Sequence, residues 1–421
     1  MVSRGEDLVC QNSWLIMTGY CTTWPREGTW MSCSLIWPKL LTKLTTASYY
    51  TRSRPLAITG KMGVWIHAFL AGRLQAVTVD GHISEEAEVI GGMPQGSVLG
   101  PLLFLIHKGD IGERVRGSFL SFADGTSVSL PVTTAEEVPR LQQDLDTVYA
   151  WATTNNMSFN EEKLEMLRHG QKHNIKEATK LYTEGGQEIS AQPHVKYLGV
   201  HISEDCSFHH HIAETVRKAK GMAGWVLRTF TTRETLTMLT LWKTLIQPLL
   251  DYCCQLWSPH KRGDIQLLEV VQRSFTRQIR GMRDLSYWDR LRELGLNSQQ
   301  RRRDRYRIIY MWKILEGQVP NPAPFALQPY ITESTGRKCL RQSLPTRAPE
   351  RIKTLLASSL IHEVPKTFNA LPKEVRSITG CPVGKFKSGG TSSYGRCQTN
   401  PQCWATLPDT GPPTPYRIKW T

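Results

Sequence analysis

The residues best suited to chemistry lie between Gly92 and Thr126. The segment from Gly92 to Phe104 reads GMPQGSVLGPLLF. Gly and Pro punctuate its first half and its second half is apolar, so it predicts a loop that delivers Gln95, Gly96 and Ser97 onto the start of a buried helix. A short linker later, SFADG (Ser121 to Gly125) places one carboxylate, Asp124, among apolar neighbours. The Asp124-Gly125 dipeptide suits the tight turn of a hairpin. A loop and helix followed by a carboxylate on a hairpin tip can hold a nucleotide and a metal ion.

Several elements must position these groups. Gly60 to Leu70 spaces Val64, Ile66, His67 and Leu70 as an amphipathic helix, and Arg73 to Val79 alternates as a strand. Asp80-Gly81 predicts a hairpin turn back toward Ala87 to Ile90. Thr133 to Met157 predicts a helix with Val138, Leu141, Leu145, Val148 and Ala152 on one face, regular only from about Pro139. Lys196 to Val200 reads as a strand. Residues 208–318 are expected to be helical. There, Arg233 to Trp257 repeats Leu236, Leu239, Trp242, Leu245, Ile246 and Leu249 at helical spacing, and Pro259 stops it. Asp264 to Arg280 puts Ile265, Leu268, Val271, Phe275 and Ile279 inside and Arg273, Arg277 and Arg280 outside. Ser298 to Leu315 carries Arg301, Arg302, Arg303, Arg305 and Arg307 ahead of an apolar run. Between Lys261 and Gly317 stand fourteen Lys or Arg against seven Asp or Glu, a net +7 within a chain total of +15. Arginines on successive helical turns can track phosphates, with salt-dependent affinity and no base specificity. A solvated basic face is the plain alternative.

Composition sets the outer bounds. At 421 residues the chain can form two or three domains with a real core. The positive balance favours polyanionic partners. A hydrophobic content of 40% with thirteen Trp argues against wholesale disorder. No apolar run approaches the roughly 20 residues of a membrane span, and the start lacks a basic-then-apolar signal. An intracellular location, in cytoplasm, nucleus or both, is therefore expected, without membrane partners. The ten Cys show no disulfide rhythm, which suits a reducing compartment. Cys206 with His209, His210 and His211, and Cys253 and Cys254 near His260, lack the repeated paired spacing of zinc sites and read as surface His and buried Cys.

On these motifs the chain resembles the reverse transcriptases of non-LTR, LINE-type retrotransposons, the jockey-like class in particular. The thirteen residues from Gly92 to Phe104 are similar to that family's nucleotide loop. The resemblance implies that Pro94, Gln95, Gly96 and Ser97, with Phe122 and Ala123, shape a nucleotide pocket. The family's following hairpin reads Phe/Tyr-Ala-Asp-Asp. Here it is Phe122-Ala123-Asp124-Gly125, so one of the paired aspartates is a glycine. Phe159, Asn160 and Lys163 resemble the next palm motif, which implies that Lys163 approaches the leaving pyrophosphate. Tyr197, Leu198 and Gly199 resemble the primer grip. The helices beyond resemble the thumb and C-terminal domain, which implies nucleic-acid backbone contacts from Arg273, Arg277, Arg280, Arg301, Arg302, Arg303, Arg305 and Arg307. An RNA template, a DNA primer and Mg²⁺ are the implied partners and cofactor.

The family also has a first palm motif, a strand ending in a catalytic aspartate some fifty to sixty residues before the nucleotide loop. The only aspartates upstream of Gly92 are Asp7 and Asp80, and neither has a workable spacing. Residues 1–57 show no clear period. Reading each codon from the last base of one residue into the first two of the next, Trp30 through Thr46 permits D-V-M-F-L-D-L-A-K-A-F-D-K-V-D-H, which resembles the missing motif. A shifted reading of Gly390 to Pro401 similarly permits the family's usual ending. The expectation is a copy translated out of frame at both ends.

Nucleotide addition in the family uses two metal ions about 4 Å apart. They are held by hard oxygen ligands that suit Mg²⁺, namely the first-motif carboxylate and the Asp pair. This sequence offers only Asp124 of those three, so the metal site is expected to be incomplete. Losing one preorganised electrostatic element alone costs about 3–4 kcal/mol of barrier. The expected fold class is α+β, a partial right-hand polymerase palm (antiparallel sheet plus helices) followed by an α-helical thumb and C-terminal region. The expected division is a poorly ordered, out-of-frame segment (1–57), palm (58–205), basic helical thumb (206–320), linker and family-like tail (321–389) and irregular tail (390–421). With the first palm strand garbled, the sheet is expected to have an unfilled position and marginal stability. The expected function is that of a truncated, catalytically inactive reverse-transcriptase domain. A non-enzymatic RNA- or DNA-binding protein derived from it, and a spurious reading frame, are the alternatives.

Overall fold

The structure, a computed structural model, describes residues 29–36, 60–89, 92–94, 96–123, 125–132, 134–155, 157–169, 180–319, 329–332, 337–340, 360–369 and 371. The chain divides into two compact units, one from Arg26 to Asp205 and the other comprising the remainder.

In chain order the first unit runs β1 (Thr29–Ile36), α1 (Gly60–Leu70), β2 (Leu74–Gln75), β3 (Thr78–Val79), β4 (His82–Ile83), β5 (Ala87–Glu88), α2 (Leu99–Lys108), β6 (Ser118–Phe122), β7 (Gly125–Val132), α3 (Val138–Thr154), β8 (Glu165–His169), β9 (Ala191–Gln192), β10 (His194–Tyr197) and β11 (Val200–Ser203). Five strands form the main sheet in the order β6-β7-β1-β8-β9. All its pairings are antiparallel except β8 with β9. Beside it, β10 and β11 form a separate hairpin. The segment 74–88 folds back as two short ribbons, β2 with β5 and β3 with β4. Its expected turn is present, with Asp80 and Gly81 both at positive φ (50° and 84°), as a two-residue hairpin of the primed type requires.

One expectation is overturned here. The sheet has no unfilled position, because β1, inside the segment expected to be poorly ordered, occupies its centre. Thr29 to Ile36 pair in full with Val132 to Gly125 on one side, and Trp30 to Ser34 pair with His169 to Glu165 on the other. Met31, Ser32 and Cys33 are all buried, so the strand is enclosed on both faces at its centre. Strand pairing is made by backbone N–H and C=O groups, which every residue but Pro supplies in full, so a different text of compatible size can fill the slot. Burial pushes the Cys33 thiol up to about 12, which keeps it protonated and inert.

Helices supply the rest of this core. Ile66 and Leu70 of α1, Leu103 and Phe104 of α2, and Leu141, Leu145, Val148 and Ala152 of α3 pack with Met31, Cys33, Val128 and Met166. Helix α3 begins at Val138, with Pro139 in its first turn, where a missing N–H costs nothing. Its buried Asp144 accepts hydrogen bonds from the backbone N–H of Arg116 (3.0 Å) and Gly117 (2.8 Å) just ahead of β6.

The second unit is mainly helical: α4 (His209–Thr229), α5 (Thr235–Leu241), α6 (Gln247–Asp251), α7 (Arg262–Thr276), α8 (Tyr287–Glu293), α9 (Gln299–Leu315) and α10 (Leu360–Asn369), with a hairpin of β12 (Pro329–Thr332) and β13 (Arg337–Leu340) before α10. The continuous helix expected over Arg233 to Trp257 is instead α5, a π-helical turn over Trp242–Ile246, and α6. Pro248 lies in the first turn of α6 and cannot donate to the preceding turn, which accounts for the bulge. The inward-facing side chains also differ from those expected. Met238, Trp242, Ile246 and Leu250 are buried, whereas Leu236 is 80% exposed. Ser286 and Ser298 cap α8 and α9, accepting from the backbone N–H of Asp289 and Arg301.

Replacing Asp144 with Ala strands two backbone donors at the entry to β6. Urea denaturation of Asp144→Ala should show a loss of about 2–3 kcal/mol with an unchanged slope.

Candidate active site

The segment expected to be a nucleotide loop folds as a tight turn onto α2. Gly92 and Gly96 adopt positive φ (85° and 80°), the left-handed region that glycine enters without steric cost. The Ser97 hydroxyl donates to the Pro94 carbonyl (2.8 Å) and accepts from the Gly100 N–H (3.1 Å), so it closes the turn and caps the first turn of the helix. Arg73 fastens the entrance by donating to the carbonyls of Leu70 and Gly92. Pro94 and Ser97 are half-buried and Gly96 is exposed, while Gln95 and Asp124 lie outside the described residues.

The hairpin differs slightly from the sequence expectation. Phe122 pairs with Gly125, so Gly125 already belongs to β7. Ala123 takes the positive φ, 48°. Gly125 does not, and a Cβ there would only touch the Phe122 carbonyl oxygen at 3.4 Å. The glycine is therefore not required by the backbone.

The β1 register places Ile36 opposite Gly125 and Leu35 opposite Thr126. The end of β1 thus lies beside the turn that carries position 124. Lys163 reaches the same end of the sheet. It is exposed, on a 3₁₀ turn (Glu161–Lys163) capped by Asn160, two residues before the last β1–β8 pair, Ser34 with Glu165. The structure therefore gathers the β6–β7 turn, the end of β1 and Lys163.

Lys108 is a group that sequence reasoning missed. It is 4% exposed at the C-terminal end of α2, and its ammonium donates to the carbonyl of Ala123 (3.1 Å) while lying 5.5 Å from the centre of the Phe104 ring. The signal was present. Lys108 falls four residues after Phe104, on the apolar face that also buries Leu103, and a cation at that spacing is out of pattern.

The Phe122–Gly125 hairpin, the nucleotide loop and the palm-like sheet lead to one comparison. Residues 36–202 match the reverse transcriptase (RNA-dependent DNA polymerase) family. The chain carries a reverse-transcriptase domain. Its relatives place it among those of LINE-type, jockey-like non-LTR retrotransposons. It is 28% identical over 228 residues to the RNA-directed DNA polymerase from mobile element jockey of Drosophila funebris, covering 51% of this chain and 25% of that protein. It is 26% identical over 227 residues to the probable RNA-directed DNA polymerase from transposon X-element of Drosophila melanogaster, covering 51% and 24%. A similar protein from transposon BS of the same fly is 24% identical over 262 residues, covering 58% and 28%. The chain spans about a quarter of the length of these relatives.

Reverse transcriptases as a family depend on divalent metal ions and act on a nucleic-acid template and primer. Among the described residues no group of three or more His, Cys, Asp or Glu could hold such a metal. Ile36 and Gly125, which face each other at the end of the sheet, bring no carboxylate, and a lysine ammonium is bonded to the turn itself.

The residues resembling the primer grip form the β10–β11 turn. Tyr197 pairs with Val200, and Leu198 and Gly199 have φ of 47° and 87°. Tyr197 is buried, and burial raises its hydroxyl well above the usual phenol range.

In the second unit the eight arginines separate. Arg273, Arg277 and Arg280 are exposed, as expected. Arg273 lies over the Tyr287 ring (4.9 Å) and Arg280 pairs with Glu234. Arg301, Arg302 and Arg305 are half-buried, and Arg302 binds Asp251 at 2.7 Å. Two expectations are corrected. Arg303 is 1% exposed, donates to the Leu250 carbonyl (2.7 Å) and stacks over Trp257 (4.6 Å). Arg307 is buried and binds Glu363 of α10 at 2.7 Å. Both are core side chains of this unit, turned away from any phosphate. The histidines and cysteines weighed as zinc ligands are also separately engaged. His209 binds Asp264 (2.6 Å), His211 packs edge-on to Trp257, and Cys253 and Cys254 are buried.

Arg303→Met removes a buried donor and leaves the Leu250 carbonyl unmatched, so chemical denaturation should show a loss of about 3 kcal/mol. Arg277→Ala, on the exposed face, should stay within about 0.5 kcal/mol of the parent.

Proposed function

We propose that this chain is a reverse-transcriptase-derived protein that does not polymerise DNA but retains the capacity to bind nucleic-acid backbone. The observation that carries the first half is the register at the end of the sheet. A palm needs its carboxylates on the strand beside the hairpin and on the hairpin tip. Here the strand ends in Leu35 and Ile36, opposite Thr126 and Gly125. Asp124 is the one acidic residue of the expected set that remains in the sequence. One carboxylate cannot hold two Mg²⁺ ions against water and their mutual repulsion.

The shifted reading explains this on the same register. In D-V-M-F-L-D the second acidic codon falls across the codons of Leu35 and Ile36, the two residues that lie beside the hairpin turn. A frame change in the DNA would thus have replaced the carboxylate while leaving a strand-forming text in place. Sequencing codons 20 to 60 tests it; a second frame that does not spell the motif refutes it.

The second half rests on Arg273, Arg277 and Arg280, exposed around the C-terminal part of α7 and the turn after it. All three are exposed, although Arg273 also lies over the Tyr287 ring and Arg280 pairs with Glu234, and exposed guanidinium groups favour phosphate binding with counterion release. The thumb-like role of this unit, its RNA or DNA partner and any intracellular site of action belong to the same proposal. Among the described residues no helix is long and apolar enough to cross a membrane.

Primer extension on a homopolymer template, with Mg²⁺ or Mn²⁺, should yield no product. Template-dependent synthesis that Asp124→Ala abolishes would overturn the inactive reading. Filter binding over a salt series should give a negative slope of log affinity against log salt. The triple variant R273A/R277A/R280A should flatten it by up to about 0.7–0.9 per charge removed.

A further inference from the structure

The connection between α7 and α8 sets an exposed aromatic ring among arginines. Tyr287, the first residue of α8, is buried and fixes the arrangement. Its hydroxyl donates to the buried Glu269 carboxylate, and its ring carries two guanidinium groups, Arg273 at 4.9 Å and Arg290 at 5.8 Å from the ring centre. Arg290, only 5% exposed, also donates to the carbonyls of Leu285 (2.8 Å) and Arg273 (3.4 Å), so it ties this turn to the end of α7. On that base Trp288 is left 39% exposed, its ring 5.1 Å from that of Tyr287. A flat apolar face thus stands beside fixed positive charge. That charge is not balanced from within. Burial lowers the Arg290 pKa, and the charges of Arg277 and Arg273 lower it further, so Arg290 is repelled by two neighbouring guanidinium groups. Its buried Nε has no hydrogen-bond partner. Among the described residues no carboxylate pairs with Arg273 or Arg277, while Asp289, on α8, is already engaged by the Ser286 hydroxyl (2.6 Å) and by Arg292 (3.5 Å). An anion from outside would offset the repulsion.

We propose that this surface takes single-stranded nucleic acid, with a base stacked on the Trp288 indole and the adjoining phosphates on Arg273 and Arg277. This rests on the backbone-binding reading given above and names the form of strand to which it applies. A duplex can use the arginines, but its bases are stacked on one another and out of reach of the indole. An unpaired strand offers both a base face and phosphates. Every base has such a face, so the site carries no sequence preference of its own.

The test titrates the full chain, by fluorescence anisotropy, into labelled oligo(dT), oligo(rU), an abasic deoxyribose-phosphate strand of the same length and a DNA duplex. The parent should bind oligo(dT) or oligo(rU) about fivefold more tightly than the abasic strand, or better. Trp288→Ala should remove that advantage. It should leave duplex binding and the salt slope as in the parent, because stacking releases no counterion. Trp288→Phe, which keeps a ring, should retain most of the advantage. Trp288-dependent binding confined to one of the two oligonucleotides supports the site and assigns its strand as DNA or RNA. A parent that binds the abasic strand as tightly as both oligonucleotides, or a Trp288→Ala variant that keeps the advantage, would overturn the proposal and leave backbone binding standing. Absence of salt-dependent binding to any probe would instead remove the backbone reading, and this site with it.

Discussion

The first unit depends on one strand being held from both sides. β1 exchanges backbone hydrogen bonds with β7 along eight residues and with β8 along five. Without it, β7 and β8 would each present an unpaired edge, and the core would lose Met31 and Cys33 from beneath the helices. What the sheet asks of this strand is modest: an extended backbone free of proline, and side chains small or apolar enough to be enclosed. The text TWMSCSLI meets that demand. Ser32 and Ser34 are poor substitutes for branched apolar residues, yet the pairing carries them.

That asymmetry between scaffold and chemistry runs through the site. Ladder hydrogen bonds come from the main chain and survive a change of side chains, whereas metal ligation needs a carboxylate at a named register position. Gly125 illustrates the point. It sits in ordinary strand conformation with room for a Cβ, so its lack of a side chain reflects no demand of the hairpin. The strained position is Ala123 instead, an alanine at positive φ whose carbonyl is held by Lys108.

The second unit makes a related distinction between charge on a helix and charge available to a partner. Arg303 and Arg307 lie on α9 one turn apart, inside a run that periodicity alone reads as one basic face. Packing against Trp257 and the Leu250 carbonyl makes the first a structural donor, and Glu363, more than fifty residues away in sequence, makes the second an ion-pair partner. On α7 and just beyond it, Arg273, Arg277 and Arg280 stay outside because Leu268, Val271, Phe275 and Ile279 fill the inner face. The same residue type serves two ends, and only the neighbours separate them.

By itself the sequence pointed to the family, through the thirteen residues from Gly92 to Phe104, and to most of the helices, through Pro139 and apolar spacing. These signals are local: a turn or a period is complete within a few residues. The sequence could not determine that β1 fills the sheet, since its alternation runs over only Met31 to Leu35 and its place comes from partners about a hundred residues away. It could not resolve the π turn over Trp242–Ile246, the exposure of Leu236, the burial of Arg303, or the contact between Lys108 and Ala123. Those were decided by the tertiary structure, because each depends on which distant group meets a side chain once the backbone is in place, and no periodicity records that.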